Sequence, residues 1–143
     1  MKKIILSLTI FCSVLVYCNS VKTINTEKAS LQGAWQLIYI LGPRIDFSGL
    51  YPNDKPTITF DLKENRVFGK NSCNSYSGTL NVDGNKISFK GPMAVTKMFC
   101  PGEGENVYMN TLEKIDSYSI SEDGKTLNFI VGDVAMMRLK KNK

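Results

Sequence analysis

From Leu31 onward the chain alternates apolar and polar residues in short runs separated by turn formers, the pattern of an antiparallel β domain. Trp35, Leu37, Tyr39 and Leu41 share one face at period two. Ile38 and Ile40 are apolar on the other, which predicts a first strand covered on both sides. Gly42-Pro43, Gly49 and the stretch from Pro52 to Pro56 then predict an irregular loop with Arg44 and Asp46 at its charged tips. Thr57 to Leu62 alternates again, with Ile58, Phe60 and Leu62 facing inward, and Lys63-Glu64-Asn65 turns the chain back into Arg66 to Gly69. Tyr76 to Val82 and Lys86 to Phe89 flank Asp83-Gly84-Asn85, a strong short-range hairpin signal. Glu122 to Lys125 likewise separates Tyr118-Ser119-Ile120 from Leu127 to Ile130, and Gly132-Asp133 leads into a last strand from Val134 to Leu139. About eight strands are expected.

Only Glu105 to Lys114 has a helical period. Tyr108, Leu112 and Ile115 recur on one face beside Met109, and Glu103 and Glu105 put negative charge at the favourable N-terminal end. The expected fold is mainly β (α+β): a small antiparallel, barrel-like sheet, closed or nearly so, with one helix laid over an open side or end.

The first twenty residues follow another rule. Lys2 and Lys3 precede an apolar run from Ile4 to Val16, broken only by Ser7, Thr9, Cys12 and Ser13, and polar sequence begins at Asn19. That is the layout of a secretion signal, and the run falls short of the roughly 20 apolar residues a membrane span needs. Leu15-Val16-Tyr17-Cys18 resembles a lipobox, with Tyr17 where a small residue is usual, and makes Cys18 the expected lipid attachment point. The competing outcome is ordinary cleavage after Ser20. Val21 to Ser30 is then a polar leader, and residues 31–143 form one domain. The expected location is the cell envelope, as a membrane-anchored lipoprotein or, alternatively, a soluble periplasmic protein.

At 43% apolar and 22% charged the chain has an ordinary globular composition. Setting Lys2 and Lys3 aside, the basic excess is mild and scattered apart from Arg138, Lys140, Lys141 and Lys143. No basic stripe interleaved with aromatics is present, so nucleic acid is not an expected partner. The count of 0 histidines removes His-dependent triads and most zinc sites, and no catalytic residue, metal or cofactor is expected. Cys73 and Cys100 form an even pair in the domain, which an oxidising compartment would join as a disulfide; the alternative is two buried, reduced thiols acting as small apolar side chains.

Four pieces together resemble the META (HslJ-like) domain family: Leu31 to Leu37, Ser72-Cys73-Asn74-Ser75-Tyr76-Ser77-Gly78, Pro92 to Cys100, and the helix ending at Leu112. The family usually has Gly where this chain has Ser72, and a small residue where it has Phe99. The resemblance implies a small β-barrel-like fold with one helix, found in exported proteins or lipoproteins, some tied to stress or drug tolerance or to secretion. It implies no established reaction.

Asn71, Asn74, Tyr76, Thr96 and Lys97 are the candidate ligand-binding or partner-binding residues at the barrel mouth; as turn or strand residues they also have plain structural roles. The expected function is a non-catalytic exported envelope (lipo)protein that binds a small apolar or peptidic ligand, or a protein partner, in envelope maintenance or stress tolerance. The alternative is a chaperone-like structural or assembly accessory of secretion. A wide apolar cavity in the barrel would favour the first, and a filled barrel with an exposed apolar patch the second.

Overall fold

A computed structural model of the chain describes residues 30–142. The apolar leader, Cys18 and residues 21–29 of the tether lie outside the described residues. Ten strands form one sheet: β1 (Gly33–Ile40), β2 (Thr57–Asp61), β3 (Arg66–Lys70), β4 (Ser75–Thr79), β5 (Asn81–Asp83), β6 (Lys86–Ser88), β7 (Met93–Val95), β8 (Ser117–Ile120), β9 (Thr126–Val131) and β10 (Val134–Lys141). Their spatial order is β5-β6-β8-β9-β10-β1-β2-β3-β4-β7. Every neighbouring pair is antiparallel, and the sheet curls into a half-barrel. Two helices complete the fold, α1 (Phe47–Leu50) in the long first loop and α2 (Gly104–Lys114).

The mainly β fold, the α2 segment and the turns match the hydrophobic pattern, and the two additional strands have local causes. The run from Tyr76 to Val82 divides at Leu80, which turns inward to 6% exposure and donates its backbone N–H to the Asn65 carbonyl at 2.8 Å. Before that residue the chain pairs with β3, and after it with β6. Leu80 therefore joins strands near opposite ends of the spatial order, so covalent continuity draws the ends of the half-barrel together where a hydrogen-bonded ladder does not. The other additional strand, β7, is only three residues long, too short to leave a period in the sequence.

The inward and outward positions of β1 also differ from simple alternation. Leu37 pairs with Leu139 and Tyr39 with Arg138, so Ile38 is an extra residue on its strand, a β-bulge. The bulge reverses the phase. Trp35 and Leu37 are buried as expected, but Ile40 rather than Tyr39 and Leu41 continues the core face, while Ile38, Tyr39 and Leu41 are exposed. Leu62 is likewise exposed, because β2 ends one residue earlier and Leu62 lies in the turn, its N–H bonded to Gln32 Oε1.

Side chains fill the interior. Trp35, Leu37, Ile58, Phe60, Leu127 and Phe129 are among its fully buried members, and the rings of Phe60 and Phe89 meet that of Phe129 edge-on at 6.3 and 5.5 Å between centroids. Helix α2 adds Tyr108 and Leu112 to this core. Its first residue is glycine for lack of room: a Cβ on Gly104 would stand 2.5 Å from the Leu50 carbonyl oxygen and 2.8 Å from the Tyr51 ring.

A tighter approach occurs at Gly69 in β3, where a Cβ would stand 2.0 Å from the Thr57 carbonyl oxygen. That carbonyl accepts the Tyr76 hydroxyl at 2.9 Å, and the Lys70 N–H bonds the Thr57 Oγ1 at 3.3 Å. Gly69 thus lets the two backbones close together over Tyr76. Gly69→Ala should lower stability toward the upper end of the about 1–3 kcal/mol of overpacking, read as a lower denaturant midpoint in a urea melt.

Candidate functional site

Two loops at one end of the half-barrel, Asn71–Asn74 after β3 and Thr96–Glu103 after β7, are joined by a disulfide between Cys73 and Cys100. The paired state expected of these cysteines is the one present, the two lying 27 positions apart in sequence. Around the bridge the polar side chains saturate one another. Asn71 Nδ2 donates to Glu105 Oε1 at 3.0 Å, and the Asn74 amide donates to Glu105 Oε2 at 2.9 Å and to the Met98 carbonyl at 3.1 Å. Asn74 Oδ1 accepts from the Thr96 hydroxyl and from the Met98 N–H, both at 2.8 Å, while Thr96 Oγ1 accepts the Ser75 N–H at 3.0 Å. Asn71 and Asn74 are fully buried, and among the described residues no buried side-chain nitrogen or oxygen lacks a partner.

The sequence-derived candidates Asn71, Asn74 and Thr96 therefore come together, but their polar atoms face inward to the chain itself. Such a network holds the loop shape, because each buried amide that lost its partner would carry a desolvation penalty of about 1–3 kcal/mol. Tyr76 lies beneath the cluster in the core. Its hydroxyl donates to Thr57, so in the 2.7 Å contact between Tyr76 and Tyr108 the Tyr108 hydroxyl is the donor. Burial pushes both phenols well above their ordinary range, and it pushes Tyr51, whose hydroxyl donates to the Gly104 carbonyl, up to about 12. All three stay neutral as hydrogen-bonding groups. Thr96 and Lys97 are the two candidates in the set that are exposed, Thr96 with its hydroxyl engaged by Asn74 and Ser75.

Two residues outside the candidate set are the most exposed apolar groups described. Met98 and Phe99 stand at the tip of the second loop, 61% and 94% exposed, directly before the bridged Cys100. The sequence signal was the apolar pair itself, set between Lys97 and Cys100. Glu105, read only as a charge near the start of α2, proves to be the acceptor that both asparagines share.

Ser72, in the first loop, takes a φ of +101°, a region that only glycine enters without penalty. Ser72→Gly should accordingly raise stability by about 1 kcal/mol, seen as a higher melting temperature with unchanged spectra.

Among the described residues, no group of three or more His, Cys, Asp or Glu side chains is arranged to hold a metal ion. No curated protein matches the chain. Among solved structures, a protein from Burkholderia xenovorans determined by NMR aligns with a TM-score of 0.64 at 20% identity, over 83% of this chain and 89% of its own. A second NMR structure aligns with a TM-score of 0.57 at 20% identity, over 81% and 93%. A DUF4847 family protein from Bacteroides vulgatus aligns with a TM-score of 0.52 at 15% identity, over 79% and 94%. At these identities the likeness is one of fold. The META domain model itself matches residues 28–143, spanning every strand and both helices, and the chain belongs to the META domain family.

Proposed function

We propose that this protein is a non-catalytic module of the cell envelope that engages a protein partner through the Met98–Phe99 tip, its N-terminal leader directing export and Cys18 carrying a lipid. The carrying observation is Phe99, 94% exposed at the end of a loop pinned by a disulfide and a buried amide network. A free aromatic side chain held on a stiff support gains contact area on docking at little entropic cost. The packed interior favours this outer-surface mode over a ligand enclosed in the barrel, and so favours an accessory or assembly role over small-molecule carriage.

The experiment is site-specific photocrosslinking in the native envelope, with a benzophenone amino acid placed at position 99 and, as control, at the exposed Lys125. A discrete protein adduct from position 99 alone is the expected outcome, lost on Met98→Ser. An adduct pattern identical at both positions, or none at 99, would sink the assignment. Phe99→Ser should leave the melting curve within about 0.5 kcal/mol of the parent, as for any surface change away from packing.

A further inference from the structure

We propose that the outer face of β2, β3, β4 and β7 is a binding groove for an acidic saccharide chain, gripped by Arg66 and Lys70 with Phe68 as an apolar wall between them. The groove is shallow, about 640 Å³, within the range of natural ligand sites. Arg66, Phe68 and Lys70 are alternate residues of β3, so all three project from one face of the sheet. The Arg66 guanidinium lies 5.9 Å from the centre of the Phe68 ring, which is 40% exposed.

Three features select the occupant. The lining contains two cations, with Asp61 opposite Arg66 at one end as the adjoining carboxylate, so the net positive balance calls for an anion. The cations are four residues apart on one strand, roughly 13 Å, too far for a single small anion to bridge, so the ligand is extended and carries more than one negative group. Between them the surface offers hydroxyls and an aromatic edge. Thr57 and Thr96 already serve the fold through their own hydrogen bonds, while Thr59, Ser75 and Ser77 also line the groove. Hydroxyl groups that both donate and accept match the hydroxyls of a sugar ring, whose C–H face suits Phe68. An oligonucleotide finds one stacking ring here where a strand of bases wants several. The groove borders the second loop at Thr96 but contains neither Met98 nor Phe99, and the inference stands whatever the tip engages.

The test is an amide NMR titration of ¹⁵N-labelled domain at low salt with a short oligogalacturonate, a neutral malto-oligosaccharide, inorganic phosphate, oligothymidylate and oligoglutamate in separate arms. The expected result is shifts centred on Thr59, Phe68 and Ser77 with oligogalacturonate, at an affinity at least about tenfold above that of the neutral sugar. The double variant Arg66→Gln, Lys70→Gln should lose about tenfold or more while its remaining spectrum superimposes on the parent's. Phe68→Ser should weaken binding with the charge intact. Equal binding of phosphate, a tighter response to oligothymidylate or oligoglutamate, no shift with oligogalacturonate, or an unaltered response in the double variant would each overturn the proposal.

Discussion

Trp35→Ala is expected to lower the stability of the domain by about 3–5 kcal/mol, a large part of the roughly 5–15 kcal/mol that holds an ordinary domain folded. The indole is 0% exposed at the centre of the sheet, on a strand flanked by β2 and β10, and no neighbouring element is free to collapse into the space. Its Nε1 donates to the Leu31 carbonyl at 2.9 Å, so the substitution also strands an acceptor and releases the segment that leads into β1. The Lys141 ammonium, 5.1 Å from the ring centre, loses its aromatic platform too. Urea melts followed by far-UV circular dichroism would measure the effect, with a shift in midpoint at nearly constant slope. An unchanged midpoint would contradict the placement of Trp35 in the core.

Loss of the Cys73–Cys100 bridge should be nearly as severe. Closing a loop whose ends are 27 positions apart removes chain entropy from the unfolded state worth roughly 3.5 kcal/mol. Cys73→Ala, Cys100→Ala should therefore melt at markedly lower denaturant, and the parent should shift in the same direction on full reduction. The local consequence is separately measurable: the Met98 N–H, held by Asn74 Oδ1 at 2.8 Å, should exchange faster once the loop is unpinned. A non-reduced peptide map is the direct check, and finding both cysteines alkylated without prior reduction would refute the pairing.

The strands that alternate cleanly were legible in the sequence because burial on one face imposes period two, as at Ile58 and Phe60. Hairpins were legible where glycine marks the turn: Gly84, Gly124 and Gly132 take φ of +58°, +68° and +59° at the three turns so expected. What escaped were features set by neighbours distant in sequence. The bulge at Ile38 is defined only against β10, nearly the whole domain away in sequence, and apolar residues on both sides of β1 hide the phase change. The break at Leu80 depends on a change of partner, which leaves no mark in composition. The candidate cluster was found by residue type, but its direction was not, because an Asn that lines a mouth and an Asn that locks two loops have the same sequence signature. Only the position of Glu105 across the gap settles which way the amides point. The outer groove was invisible for a similar reason: Arg66 and Lys70 are ordinary exposed cations on β3 until the hydroxyls of β2, β4 and β7 are laid beside them.

The pairing of β1 with β10 governs when this molecule can become a molecule at all. The first and last strands stand together in the middle of the sheet, with Trp35 opposite Lys141, and the Asn142 N–H bonded to the Ala34 carbonyl. A chain released residue by residue, N-terminus first, holds its opening strand unsatisfied along one flank until the final segment arrives, a closure across roughly a hundred residues. A fragment ending before Val134 would expose bare ladders on both β1 and β9, a template for aggregation. The ordering makes completion of the sheet wait for β10. It makes the C-terminal strand the step that commits the whole sheet.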